Sequence, residues 1–378
     1  MRNSNARTSW QAGLSLIELM IALVVGLILI AGVLSIFMSS RKSYGINTAV
    51  GQIQEHGRFA LDFIRHNTRM AGYLSCGVSG VNFANYLDPV AAASLPYNFS
   101  NTITGLEYTN TAPGNTYTIA SGNPAPAAAT SAWTPSLVSS LPLNGADYAI
   151  PGSDVLAMSL SQGSMNPGYV VSVGPAAFVI NSDPGITSSN NILVVSNCVT
   201  TVILHASGPL SGSAPAITIP ATTGGPSPAD TVASIPPSLV GAQVGTAQVV
   251  VFYVGEGADG APALFQATTD PTVASGFQLQ EIVPGVENMQ VLYGVDASGG
   301  GVPTVYDTAD VVNAASEWNS VLSVRVALLL RSDLGAVTLP PAAVTYNLLG
   351  TVITAPQDTR LRQIFTTTIG LRNNLPNP

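Results

Sequence analysis

From Ala71 to Val324 the chain contains no lysine or arginine, although fifteen aspartates and glutamates lie in that interval. Phosphate contacts need a cationic surface, so direct nucleic-acid binding is not expected of this body. Charge is scarce throughout: 8% of the 378 residues, for a net charge of −8. Solubility is the simplest account of the acid excess, with a cationic partner or calcium as the alternative. Lysine occurs once, at Lys42, which removes any Ser-x-x-Lys nucleophile. The sequence has no Gly-x-Ser-x-Gly elbow, no His-Glu-x-x-His helix and no Gly-x-x-x-x-Gly-Lys loop. The three histidines, His56, His66 and His205, are scattered without ligand spacing, so neither a metal site nor a cofactor is expected. No catalytic residue is read from the sequence.

What the chain does have is one long apolar run. From Leu14 to Met38 its only charge is Glu18. Twenty-five such residues are enough to cross a bilayer as a helix and too many for the h-region of a cleaved secretory signal. A carboxylate inside such a run costs several kcal/mol unless it is paired, which marks Glu18 as a functional candidate. A plain membrane anchor would explain the length and apolarity but not Glu18. A leader with Arg2 and Arg7 precedes the run, Gly13 stands at the junction, and Arg41 and Lys42 follow it. Basic residues on both sides leave orientation unassigned by charge.

Beyond the run, apolar residues recur at Ile46, Val50, Ile53, Ala60 and Ile64, broadened by Leu61 and Phe63. Glu55, Arg58, Asp62, Arg65 and Arg69 take the other face. These spacings predict an amphipathic continuation of the helix, ending near Gly72 and packed on a domain. After Cys76, short apolar segments separated by turn residues predict strands: Val155–Leu160, Tyr169–Val173, Ala177–Ile180, Ile192–Val195 and Thr200–Leu204. Further strands are expected at Ala247–Val254, Ala263–Gln266, Val286–Tyr293, Val321–Arg331 and Ile364–Arg372. In the last of these, Phe365, Thr367, Ile369 and Leu371 alternate with polar or small residues. The stretches 121–140 and 207–238 read as irregular loops. Glu256-Gly-Ala-Asp259-Gly lacks the ligand spacing of a calcium loop and reads as a β-turn. Trp318 reads as a core anchor. The expected fold is α+β: a long N-terminal helix packed on an antiparallel sheet with long loops.

Cys76 and Cys198 are the only cysteines. In an oxidising compartment they most simply form one disulfide, for which a long loop allows roughly 4–5 kcal/mol; two buried thiols are the alternative.

The segment Gly13-Leu-Ser-Leu-Ile-Glu18-Leu-Met resembles the class III signal of type IV pilins and pseudopilins. Three further segments are similar to PilW-like minor pilins: Arg65-His-Asn-Thr-Arg-Met-Ala-Gly-Tyr, Val286-Glu-Asn-Met-Gln-Val-Leu-Tyr-Gly-Val-Asp, and Trp318 through Arg331. The ending Phe365-Thr-Thr-Thr-Ile-Gly-Leu-Arg-Asn belongs with them. The resemblance covers about 1–76 and 247–373 and leaves 77–246 unmatched. It implies cleavage between Gly13 and Leu14 by a prepilin peptidase, N-methylation of Leu14, and a role for Glu18 in assembly. Leu14 stands where the family more often has Phe. The implied organisation is a leader at 1–13, a transmembrane assembly helix at 14–38, its amphipathic continuation at 39–72, and a periplasmic β-rich domain at 73–378. The implied location is the inner membrane, crossed once, and then the pilus fibre. The implied partners are the peptidase, other minor pilins, the major pilin, the assembly platform and a tip adhesin. The implied role is in a priming or tip complex that supports adhesion, twitching motility or DNA uptake. A J-type minor pseudopilin of type II secretion shares this architecture, and a membrane-anchored periplasmic enzyme or binding protein is the alternative of another class.

Overall fold

The computed structural model describes residues 15–74, 82–88, 94–122, 130–136, 148–162, 167–174, 177–197, 199–206, 210–214, 216–220, 235–338, 340 and 342–373. The first element is one helix, α1 (Leu16–Met70), continuous through Gly26, Gly32, Gly45, Gly51 and Gly57. By contact density the chain forms two units, 1–51 and 52–378. In the second unit, Ile53, Gly57, Ala60, Ile64 and Thr68 are buried while Glu55, Arg58, Asp62, Arg65 and Arg69 are exposed. These are the two faces that the spacing predicts.

The helix stops because Gly72 takes φ +73°, where an added Cβ would also sit 2.6 Å from the Thr102 side chain. Both features require glycine there. The Gly72 N–H donates to the Ser159 carbonyl at 2.8 Å, and Asn373 Nδ2 donates to the Ala71 carbonyl at 2.7 Å. The end of the helix is thereby tied to the sheet and to the chain's C-terminal segment.

The strands that position the rest, in chain order, are β1 (Ile103–Tyr108), β2 (Val155–Gln162), β3 (Gln243–Glu256), β4 (Pro262–Thr269) and β5 (Phe277–Pro284). They continue with β6 (Val286–Val295), β7 (Val305–Asp307), β8 (Val321–Arg331) and β9 (Arg362–Gly370). A short helix, α2 (Ala309–Ala315), follows β7. Among the described residues, β1 to β5 belong to a thirteen-stranded sheet, and β7-β6-β8-β9 form a separate four-stranded antiparallel sheet. Thr345–Leu348, Thr351–Thr354 and Thr116–Thr118 make a small third sheet.

Strand β3 organises the large sheet. It pairs with β2 over Thr246–Phe252, with β4 over Val250–Glu256, and with Ile192–Ser196 over Gln243–Thr246. Twelve of its fourteen residues are buried, because both faces are covered. One core joins Ile53, Ala60 and Ile64 of α1 to Phe252 of β3, Met289 and Val291 of β6, and Val326 and Leu328 of β8. A separate distal core, built from Phe178, Ile180, Leu193, Val195, Leu204, Ile219 and Val244, lies mostly within 167–245.

Every strand expected from the sequence is present, with ends shifted by up to four residues. Alternation in β9 is as predicted: Ile369 is buried and Phe365 and Thr367 half-buried, while Thr366 and Thr368 are exposed. Residues 257–261 form the expected turn, with the Gly257 N–H donating to the Ala261 carbonyl at 2.7 Å. Trp318 is core, edge-on to Tyr293 at 5.0 Å between ring centroids. Within the stretches expected as irregular, the described residues include short strands at Trp133–Thr134, Ser211–Ser213 and Ala216–Pro220. Strands β1 and β5 were not expected. Gly105 interrupts the first, and Gln278, Gln280 and Glu281 make the second read as polar.

Candidate assembly site

The apolar half of α1 presents its side chains outward. Leu16 is 78% and Phe37 60% exposed, and none of the described residues buries the most apolar window of the helix. Such a surface is stable in lipid or against other helices and unstable in water. By length and composition the helix can cross a membrane.

Glu18 lies in its first turn. The main-chain N–H and the hydroxyl of Ser15 both donate to Glu18 Oε2 at 3.1 Å, and the Glu18 N–H donates to Ser15 Oγ at 3.2 Å. This reciprocal pattern is a capping box, in which the first orphan donors of a helix are satisfied by its own side chains. An acid at this position also favours the positive end of the helix dipole. Sequence reasoning singled out Glu18 but missed Ser15. The signal was available, because Ser15-Leu-Ile-Glu18 is the Ser-x-x-Glu signature ahead of an apolar run. Gly13 and Leu14, where cleavage and methylation are expected, lie outside the described residues, as do Cys76 and Cys198.

Two polar clusters lie among the strands of the second unit. In the first, Glu287 of β6 accepts Arg362 Nε at 2.6 Å and Arg331 Nη1 at 3.1 Å, and Arg362 also reaches both oxygens of Asp358 at 2.8 Å. The Glu287, Arg331 and Arg362 side chains are 1–5% exposed. Breaking such a set by removing one member leaves an uncompensated buried charge. The carboxyl of Asp358 is held below the usual range by Arg362 and the Arg360 N–H, which outweigh its partial burial.

The second cluster lies where the two larger sheets meet. Asp154 accepts the Tyr108 N–H at 3.1 Å and the Val291 N–H at 2.8 Å. Glu107 Oε1 accepts the Thr111 hydroxyl at 3.2 Å, while Glu107 Oε2 receives no donor among the described residues. Burial pushes the Glu107 carboxyl up to about 10, reinforced by the charge of Asp154, and burial raises Asp154 to about 7 against the pull of its two backbone donors. The Glu107 carboxyl therefore keeps its proton at neutral pH. Neither cluster shows the groups needed for metal binding: among the described residues, no set of three His, Cys, Asp or Glu side chains could hold an ion.

Residues 11–34 match the family model described as the prokaryotic N-terminal methylation motif, and residues 251–373 match that of type IV pilus-assembly protein W. Among solved structures, the type IV-like pilin TTHA1219 from Thermus thermophilus is similar at 15% identity, over 50% of this chain and 86% of that one. Its TM-score is 0.21. No curated protein matches the chain.

Proposed function

We propose that this chain, which carries a PilW region at 251–373 and a prepilin methylation motif at 11–34, is a minor pilin of a type IV pilus. One observation carries the reading: the methylation motif opens a helix whose apolar half is left unburied by the described residues and contains a single acid, Glu18. In this reading a prepilin peptidase removes residues 1–13 and Leu14 becomes an N-methylated terminus. Residues 14–38 first anchor the chain in the inner membrane and then pack among the helices of the fibre. Residues 39–72 continue that helix, and 73–378 form the periplasmic domain, in which Cys76 and Cys198 are joined.

Function here is assembly. The Leu14 amine of a neighbouring subunit meets Glu18, and pairing removes the cost of both charges in a dry helix bundle while fixing the axial register. The chain acts in a complex of minor pilins that primes the fibre and remains at its tip, supporting adhesion, motility or DNA uptake. The match at 251–373 favours a pilus over a type II secretion pseudopilus. The test is mass spectrometry of the mature N-terminus from cells with and without prepilin peptidase. A peptide beginning at N-methyl-Leu14, lost without the peptidase, is the expected result. An intact Met1 start, or cleavage elsewhere, sinks the proposal.

A further inference from the structure

Strand β9 pairs with β8 along one edge from Arg362 to Gly370 in an unbroken register. Among the described residues no strand pairs with its other edge. Proteins usually guard such an edge with charge, proline, a bulge or a short strand. From Gln363 to Ile369 this strand has no charge and no proline, and its ladder has no bulge. It is an open template for one more strand.

The edge borders a groove of about 500 Å³ between Thr366 and Thr367 of β9 and Arg58, Phe59, Asp62 and Arg65 of α1. Phe59 is 53% exposed there, an aromatic surface next to free backbone. Arg65 is ion-paired with Asp62, whereas Arg58 has no carboxylate within ion-pair distance among the described residues. Arg69 and Arg372 are exposed as well. Set against Asp62 and the exposed Glu55, these four arginines still leave a local excess of positive charge in a chain of net charge −8 with no lysine or arginine from 71 to 324.

We infer that the groove takes up an extended acidic segment of a different pilin subunit, which adds a strand to β9. Its main chain completes the open edge, its apolar side chains cover Phe59, and its carboxylates face Arg58 and Arg65. An edge-to-edge pairing of two copies of this chain is disfavoured, because two-fold symmetry would bring the Arg58 and Arg65 side chains of both copies together. The inference rests on the pilin reading, and its test separates the two.

A photoreactive amino acid is placed at Thr366, which is exposed, in the full chain expressed among its natural pilins. Adducts are mapped by mass spectrometry after irradiation. The mature N-terminus and the presence of the chain in sheared fibres are recorded in the same cells. The expected result is an adduct with an acidic, extended segment of another pilin, reduced about tenfold by R58E/R65E while processing is unchanged. Three outcomes overturn the inference in a correctly processed, fibre-borne chain: no adduct, an adduct only with a second copy, or an adduct whose yield ignores the charge reversal. A chain that is not cleaved after Gly13 overturns the pilin reading itself.

Discussion

Ser15 and Glu18 hold each other by three hydrogen bonds at the start of α1, so the carboxylate already has local partners within its own subunit. Two roles for Glu18 can therefore be separated by substitution. Ser15→Ala removes the cap alone, at a cost of about 1 kcal/mol of helix stability. Glu18→Gln keeps an oxygen acceptor but loses the charge, and Glu18→Ala loses both. If charge pairing with a neighbour drives assembly, E18Q and E18A both lower the amount of this chain in sheared fibres about tenfold or more, and S15A changes it little. Immunoblots of sheared fibres against whole cells read this out. Wild-type incorporation of E18Q would instead assign Glu18 to capping.

Gly57 faces the ring of Phe365 so closely that an added Cβ would lie 2.5 Å from it. Alanine here gains up to about 1 kcal/mol of helix propensity but overpacks the contact between helix and strand, which costs about 1–3 kcal/mol. Gly57→Ala is expected to lower the thermal midpoint of the full chain in detergent, and Gly57→Val to lower it further. Adding Phe365→Leu should recover part of the loss. A rise in the midpoint for Gly57→Ala would contradict the packing described.

The carboxyl pair Glu107 and Asp154 gives stability a definite pH slope. Both groups are raised in the folded chain, to about 10 and about 7, above ordinary values of 4.5 and 3.8. From about pH 4 upward the unfolded chain releases these protons while the folded chain keeps them. Stability therefore falls as pH rises toward 7, and continues to fall more slowly above it. The melting temperature should be higher at pH 5 than at pH 8. Glu107→Gln should flatten the part of the slope that lies above pH 7. A midpoint that rises from pH 5 to pH 8 would show that the pair is ionised in the folded state.

Among the described residues Glu287 is the one carboxylate shared by Arg331 and Arg362, and all three side chains are at most 5% exposed. Glu287→Ala leaves the buried Arg331 guanidinium without its carboxylate and Arg362 with Asp358 alone, and should cost about 3–5 kcal/mol, seen as a lower denaturation midpoint or rapid proteolysis in cells. Arg65→Ala removes only an exposed pair and should cost less than about 1 kcal/mol.

How far the sequence could be read depended on whether a pattern was local. The helix face at Ile53, Ala60 and Ile64 and the alternation through Phe365, Thr367 and Ile369 repeat at fixed spacing, so both were legible. Glu18 stood out as the single acid in an apolar run, and its capping partner is what the structure adds. Ser15 was missed because its partner is recognised only when the pair is read together. Strand β5 hid behind the exposed Gln278 and Gln280 and the half-buried Glu281, so its ladder with β4 cannot be inferred from composition. Glu287 and Asp154 lie in apolar surroundings whose partners are 44 or more positions away, a relation created only by the fold.

The family match begins at Val251, in the middle of β3, whose earlier residues pair with strands of the unmatched region. The boundary of similarity thus cuts through a strand instead of a linker. A chimera joined at that boundary would divide one hydrogen-bonded ladder between two parents, and a truncation there would leave the four-stranded sheet without the residues that seat it. Exchange of heads between such chains has to be made in the loops that flank β3, so that the strand travels whole with one parent.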